Sequence, residues 1–302
     1  MIKVTVPATS ANLGAGFDSC GLALGLYNTA RMAEADDVFI SSADGSRIPT
    51  GENNLVYRTA KQVYELCGKP FTGLEIVQEN PIPMARGLGS SSACIAAGIL
   101  GANALLGGPL SGTDVLTLAT KLEGHPDNVA PALMGGFVVS AYDEGRVWSL
   151  RRDVSSAITF AAFIPGYRLL TKKARAALPR KVAHKDAVYN LSRAALLAVA
   201  FCEERYDFLP VATKDCLHQP YRMPLIPGGE AVCALAKSLG ALAAFISGAG
   251  PTILAVVETA GADEFFDRAA EALKQNAQLA AFAVRRLEAD NDGARVEQLA
   301  DA

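Results

Sequence analysis

The chain has 302 residues, of which 50% are hydrophobic and 20% are charged, and its formal net charge is −3. The length suits one large domain or two closely packed ones, and no basic stripe indicates a nucleic-acid partner. The six cysteines are scattered, without a CxxC pair or a Cys/His cluster at zinc spacing. The N-terminal MIKVTVPATS alternates like a strand and lacks a signal-sequence pattern. We therefore expect a cytoplasmic protein with free thiols.

The first half of the chain is predicted to contain strands and helices around two long loops, at 7–21 and 81–92. Helical spacing ends at Gly68 for the first helix, and Ser111 and Thr113 are candidate caps of the third. The predicted elements are strands at 2–6, 22–32, 74–77, 137–140 and 146–150, and helices at 54–67, 91–106 and 113–123.

A domain boundary is predicted near 150–157, where RRDVSS interrupts the apolar pattern. Beyond it the predicted elements are strands at 157–164, 241–247, 252–258 and 282–287, and helices at 171–178, 187–204, 229–239 and 261–275. Strands and helices mix without regular βαβ alternation, which favours an α+β fold.

Two stretches without charge, 87–113 and 238–257, are long enough to span a bilayer. Gly, Pro, Ser or Asn interrupts both at several points. We therefore expect a buried helix of small residues and a buried strand–loop–strand unit, and no membrane partner.

The most informative segment is PIPMARGLGSSSACIAAG at 81–98. Glycines allow a ligand to approach the main chain, and the free N–H groups of a helix N-terminus form a site for phosphate. The hydroxyls of Ser90, Ser91 and Ser92 are suited to phosphate oxygens or magnesium. The common nucleotide loop GxxxxGK[ST] is absent, since Arg86 precedes the glycines and no lysine follows. A plain Gly/Ser turn before a buried helix is the alternative interpretation.

Two further glycine-rich segments accompany this loop: PATSANLGAGFDSCGLAL at 7–24 and ISGAGPTILAVV at 246–257. In this order and at these spacings, the three segments resemble the three motifs of the GHMP small-molecule kinases. The first motif, with LEGHPDNVAPALMGGF at 122–137 and HQPYRMPLIPG at 218–228, is similar to the homoserine kinase branch. The resemblance covers nearly the whole chain.

The resemblance implies a two-domain GHMP kinase architecture. Residues 1–155 would form an N-terminal nucleotide-binding domain like ribosomal protein S5 domain 2. Residues 156–302 would form a ferredoxin-like C-terminal domain that completes the substrate site. A homodimer is expected from the family alone.

The implied reaction is ATP-dependent phosphorylation of the L-homoserine hydroxyl to O-phospho-L-homoserine, a step of threonine biosynthesis. ATP would bind through the loop, and Mg²⁺ would be held by Ser91 and Glu123, which are implied as catalytic together with Asp18. A solvated carboxylate at a helix end is the alternative for Glu123. The residues implied in nucleotide binding are Pro83, Met84, Ala85, Arg86, Gly87, Leu88, Gly89, Ser90, Ser91, Ser92, Ala93 and Cys94.

Homoserine contacts are implied by the same resemblance. Asp18 suits the ammonium group and Asn12 the hydroxyl or carboxylate, although both residue types also favour loop capping. Arg175 and Arg222 suit a bidentate carboxylate contact. The substrate-binding residues implied are Asn12, Asp18, His125, Asp127, Asn128, Thr171, Arg175, Arg222, Gly248 and Gly250.

No residue stands out as an obligate base, and Asp18 is a substrate binder first. The spacing of HPDN is wrong for a helical HExxH zinc site, so His125 is assigned to substrate binding. SGAGPT at 247–252 is expected to close over the phosphates and substrate, or to be a structural glycine turn. Two rival functions remain: another GHMP kinase with a different small alcohol, and a non-catalytic GHMP-like binding protein.

Overall fold

A computed structural model describes residues 1–300, and its helices and strands mix as the predicted α+β class requires. The helices are α1 Leu55–Leu66, α2 Ser90–Leu105, α3 Gly112–Glu123, α4 Pro126–Met134, α5 Thr171–Ala176, α6 His184–Cys202, α7 Leu209–Ala212, α8 Gln219–Arg222, α9 Gly229–Ser238 and α10 Ala262–Gln275. The strands are β1 Ile2–Ala11, β2 Cys20–Glu34, β3 Phe39–Ser42, β4 Leu74–Glu79, β5 Phe137–Asp143, β6 Arg146–Arg152, β7 Ile158–Pro165, β8 Ala243–Ile246, β9 Ile253–Glu258, β10 Phe282–Leu287 and β11 Arg295–Gln298.

The first sheet has seven strands, in the order β11-β1-β2-β4-β3, with β5 paired to the start of β2 and β6 paired to β5. All pairs are antiparallel except β3 with β4. In β1 and β2 buried positions alternate with part-exposed ones along part of each strand, so one face packs on the core. A bulge between Pro7 and Ala8 bends β1 at the start of the first glycine-rich motif.

The second sheet is antiparallel in the order β10-β7-β9-β8. Along the chain β7 is followed by helices α5 to α9, then by β8, β9, α10 and β10. With the five helices taken as one helical segment, this is the β-α-β-β-α-β arrangement of the ferredoxin-like fold expected for this half. Strand β9 is buried at five successive positions, Ile253 to Val257, because helices and loops cover both of its faces.

Helix α2 is central, as its small residues predict. It contains no charged residue and packs against α1, β1, β2, α3 and α4. Gly98 lies against the Val56 carbonyl and Gly101 against Met32, at distances that leave no room for a Cβ. Among the described residues, no helix combines the length and the apolarity needed to cross a membrane.

Several elements differ from the sequence prediction. Strand β1 continues to Ala11, where a loop was expected, because it pairs with β2 as far as Gly21. The short elements β3, α4, α7, α8 and β11 were not predicted. Strand β11 lies in the first sheet, although it follows the second sheet in the chain. The division between residues 155 and 156 therefore remains a proposal, and β11 lies across it.

Candidate functional site

The three glycine-rich segments meet at one cavity. Its lining consists of Asn12, Asp18, Pro83, Ala85, Arg86, Gly87, Leu88, Gly89, Ser90, Ser91, Glu123, His125, Asp127, Asn128, Thr171, Arg175, Arg222, Gly248 and Ala249. Every segment that was predicted to contribute to the site thus reaches the same space.

One wall of the cavity is the loop before α2. Gly87 and Gly89 have φ values of 73° and 70°, in the left-handed region that favours glycine. Gly89 is the N-cap of α2, no side chain caps this end, and the first turn contains no acidic residue. The positive end of the helix dipole and its terminal N–H groups are therefore suited to an anion.

The loop at 247–252 packs directly on the loop before α2. Ser247 donates from Oγ to the Gly87 carbonyl at 2.5 Å, and its hydroxyl also bonds that of Ser10 at 2.8 Å. A Cβ on Gly87 would lie 2.3 Å from the Ser247 carbonyl oxygen, so only glycine allows this approach. The segment SGAGPT is thus part of the cavity wall, as predicted, and it holds the other two motifs together.

Ser91 and Glu123 meet at the same end of α2. A capping box of Ser111 and Asp114 starts α3, and Glu123 is the last residue of that helix, before Gly124 at φ 95°. The Ser91 hydroxyl donates to Glu123 Oε2 at 3.1 Å. Two oxygens in adjacent positions of an octahedral magnesium shell lie about 3 Å apart, given bonds of about 2.1 Å. The pair therefore fits the donor set and spacing of a magnesium site.

Asp18 and Arg175 form an ion pair inside the cavity. Arg175 reaches Asp18 with both terminal nitrogens, at 2.7 and 3.1 Å. Burial works to lower the pKa of Arg175, but the hydrogen bond and charge of Asp18 outweigh it and raise that pKa. Asn12 accepts from the Asp18 N–H and donates to the Gly248 carbonyl, so its amide supports the loop as a cap. A ligand ammonium could replace Arg175 at the Asp18 carboxylate, and a ligand carboxylate could replace Asp18 at the Arg175 guanidinium.

Arg222 is a buried cation with 1% of its surface exposed, and no ion pair to it is found among residues 1–300. It donates to the Gly248 carbonyl at 3.1 Å, while its Nε has no hydrogen-bond partner. Burial, together with the charge of Arg175, lowers the pKa of Arg222. A buried guanidinium without a counterion calls for an anion, and the cavity beside it provides the space.

His125, Asp127 and Asn128 lie at the start of α4, with His125 as N-cap and Pro126 as the first helical residue. His125 Nδ1 makes a short hydrogen bond to Asp127, whose side chain is 2% exposed. Burial alone would lower the pKa of His125, but the hydrogen bond and charge of Asp127 outweigh it and raise that pKa.

This raised pKa predicts a pH-dependent contribution to stability. The charged form of His125 stabilises the folded protein below the pKa of histidine in the unfolded chain, about 6.5. This stabilisation is lost as the pH rises through the raised pKa of His125 in the folded protein. The free energy of unfolding in urea should therefore differ more between wild type and His125→Gln at pH 6 than at pH 9. A difference that grows with pH would contradict this.

Some residues implied in nucleotide or substrate binding do not line the cavity. Ala93 is fully buried in the core, and Cys94 packs against that core, because α2 turns them away from the loop. Gly250 faces Ile226, and Ala249 takes its place in the wall. Met84 and Ser92 also lie outside the lining.

Arg86 lines the cavity, yet its guanidinium is occupied. It donates to the backbone carbonyls of Pro165, Gly166 and Met84 at 2.9, 2.7 and 3.2 Å. In this structure Arg86 ties the loop before α2 to the end of β7 in the second sheet. It is therefore a structural link between the two halves of the chain.

Two residues near the cavity were missed from the sequence. The Phe17 ring lies 5.2 Å from the guanidinium carbon of Arg222 and 5.8 Å from that of Arg175. It stacks on the ring of His218 at 5.1 Å. Both residues stand inside quoted motifs, Phe17 in GAGFD and His218 in HQPYR, but the motifs alone do not relate these rings to the charged groups.

Comparison with known proteins identifies the family of this chain. The family models for the GHMP kinase N-terminal and C-terminal domains match residues 54–136 and 197–275. A homoserine kinase of Clostridium beijerinckii is 44% identical over 98% of this chain and 98% of its own length. Another, of Caldicellulosiruptor saccharolyticus, is 46% identical over 98% and 96%. The crystal structure of a homoserine kinase from Cytophaga hutchinsonii superposes with a TM-score of 0.85, at 29% identity over 98% and 97% of the two chains. The chain therefore belongs to the GHMP kinase family and, within it, to the homoserine kinases.

Proposed function

We propose that this chain is a kinase that transfers the γ-phosphoryl group of ATP to the side-chain hydroxyl of L-homoserine, giving O-phospho-L-homoserine. The observation that carries the proposal is the placement of Asp18, Arg175 and Arg222 beside an uncapped helix N-terminus in one cavity. The homoserine kinases that share 44–46% of the sequence over nearly the full length support the same substrate.

In this proposal the loop before α2 binds the triphosphate of ATP. The backbone N–H groups at the start of α2 donate to phosphate oxygens, and the helix dipole stabilises their charge. Phosphoryl transfer depends on positioning and charge neutralisation more than on covalent chemistry. The hydrogen bond from Ser247 to the Gly87 carbonyl ties this loop to the loop at 247–252.

Ser91 and Glu123 would hold magnesium, since a hydroxyl and a carboxylate 3.1 Å apart suit a small, hard cation. When bound, magnesium neutralises charge on the phosphate oxygens. The hydrogen bond from the Ser91 hydroxyl to Glu123 orients both oxygens toward each other.

The charged side chains bind the amino acid. The ammonium of homoserine replaces Arg175 at the Asp18 carboxylate, and the substrate carboxylate then pairs with Arg175 and Arg222. Binding of the zwitterion breaks the ion pair between Asp18 and Arg175. The ammonium then pairs with Asp18 and the carboxylate with the two arginines, so neither Asp18 nor Arg222 is left without a partner. A carboxylic acid without an ammonium group would separate Arg175 from Asp18 and leave that carboxylate unpaired. This difference favours an amino acid over a mevalonate-type substrate.

The proposed reaction needs no dedicated base. In a loose transition state the acceptor hydroxyl loses its proton late, so placement in line with the phosphate is sufficient. His125 is already bonded to Asp127, and Asp18 is committed to binding charge. Asp18 as a base is the lesser alternative.

We also propose cytoplasmic location, a role in threonine biosynthesis and a homodimer. The six free cysteines support a reducing compartment. The role in threonine biosynthesis follows from the proposed product, and the dimer rests on family resemblance.

The test of this proposal is ADP release measured with L-homoserine, mevalonate and galactose. We expect homoserine-dependent release and little release with the other two alcohols. A mevalonate rate above the homoserine rate would favour another GHMP kinase activity. ATP binding without release on any alcohol would favour a binding protein.

A further inference from the structure

His218 is a buried residue that neither the phosphate loop nor the proposed substrate contacts include. Its ring is fully buried beside the cavity and stacks on Phe17. The buried carboxylate of Asp215 accepts from the backbone N–H groups of Leu217, His218 and Gln219, which fixes the start of α8. The Asp215 carboxylate and the start of α8 thus fix the position of the His218 imidazole.

The helix places His218 next to Arg222. The Arg222 N–H donates to the His218 carbonyl at 3.0 Å, so the two residues are four apart on one helical turn and share a face. Arg222 Nη1 lies 3.4 Å from His218 Nδ1. The same nitrogen donates to the Gly248 carbonyl at 3.1 Å, which gives the guanidinium two fixed acceptors.

The hydrogen bonds of the ring determine its tautomer. His218 Nε2 lies 2.7 Å from the Gly14 carbonyl oxygen, which can only accept, so the proton is on Nε2. Nδ1 then carries a lone pair, and Arg222, which can only donate, is its partner. Burial lowers the pKa of His218, and the charge of Arg222 lowers it further. Together they outweigh Asp215, the hydrogen bond to Gly14 and Asp18, which act to raise that pKa, so the net shift favours the neutral ring.

We propose that His218 is a positioning residue, which holds the Arg222 guanidinium for the substrate carboxylate by accepting its hydrogen bond at Nδ1. The Phe17 ring, which contacts both His218 and Arg222, completes the support. Without the Nδ1 acceptor, Arg222 keeps its charge and its bond to the Gly248 carbonyl, but it loses one of the two acceptors that orient it. This inference rests on the proposed function, because it assigns the carboxylate of homoserine as the anion that Arg222 receives.

Two substitutions separate the two hydrogen bonds of the ring. The shorter side chain of His218→Asn places its amide oxygen near Nδ1, where it can accept from Arg222, but it does not reach Gly14. The longer side chain of His218→Gln places its amide nitrogen near Nε2, where it can donate to Gly14, but it leaves Arg222 with the Gly248 carbonyl alone. Both lose the stack on Phe17 equally.

We expect His218→Gln to raise the KM for homoserine at least tenfold while the KM for ATP changes less than twofold. His218→Asn should keep the homoserine KM within threefold of wild type. Arg222→Lys should raise the homoserine KM by itself, and adding His218→Gln to it should cause no further rise. His184→Gln, at an exposed histidine at the start of α6, is the control and should resemble wild type.

A purely structural histidine gives the reverse pattern, with a normal His218→Gln variant and an impaired His218→Asn variant. That result overturns the inference. If His218→Gln fails to fold in a melting experiment, the Asn variant decides, and a tenfold rise in its homoserine KM overturns the inference. Wild-type turnover is measured first. Absence of homoserine turnover defeats the proposed function and this inference together, whereas normal turnover with an unaffected Gln variant defeats the inference alone.

Discussion

Replacement of Glu123 by glutamine is expected to lower kcat about 100-fold, which corresponds to about 2.7 kcal/mol of activation free energy. The Glu123 carboxylate is within 3.1 Å of the Ser91 hydroxyl at the start of α2, where the proposal places magnesium. A neutral amide is a much poorer ligand for this ion than a carboxylate. The amide still accepts a hydrogen bond from Ser91, so the fold should be preserved.

The measurement is initial-rate kinetics at increasing magnesium concentration, with a thermal melt of each variant. High magnesium should recover part of the lost rate in Glu123→Gln, because a weakened site fills at higher concentration. Glu65→Gln is the control, since Glu65 is an exposed carboxylate near the end of α1. Wild-type turnover in Glu123→Gln at low magnesium would remove Glu123 from the metal site.

The sequence allowed the motifs of the site to be found, but it did not predict all the short helices and strands that surround them. Ser91 and Glu123 are separated by 32 residues, and no local pattern relates them. Their pairing was implied by family resemblance, and the contact between them agrees with it. The three glycine-rich segments were likewise implied to meet, and the structure brings them to one cavity.

The elements that were missed depend on contacts with distant parts of the chain. Helix α4 contains Pro131 in its interior, which weakens a helical pattern, yet the helix forms with the Asp127 carbonyl packed closely on Gly21. Strand β11 has four residues and exists through its pairing with β1. Local propensity carries no information on such pairing.

The roles of Phe17 and His218 were also beyond the sequence. An aromatic residue and a lone histidine in a loop are compatible with core packing, and only their contacts with Arg222 relate them to the charged groups. Arg86 is the opposite case. Family resemblance implied a role in nucleotide binding, but the carbonyls of Pro165 and Gly166, at the end of β7 in the second sheet, occupy its guanidinium.

Gly87→Ala is expected to raise the KM for ATP at least tenfold and to lower kcat. The new methyl group would collide with the Ser247 carbonyl, a backbone atom that no side-chain rotation can move. Either the loop before α2 or the loop at 247–252 must therefore shift. The N–H groups at the start of α2 would then lose the arrangement that the triphosphate requires.

Gly45→Ala is the matched control for this prediction. Gly45 has the same φ of 73° as Gly87, but nothing lies within 4 Å of its Cβ position. Both variants place alanine in the left-handed region, at a cost of about 1 kcal/mol. Only Gly87→Ala adds a collision between two motif loops. Kinetics and urea unfolding of both variants therefore separate backbone strain from loop displacement, and equal ATP KM values in the two would show that contact between these loops is not needed for nucleotide binding.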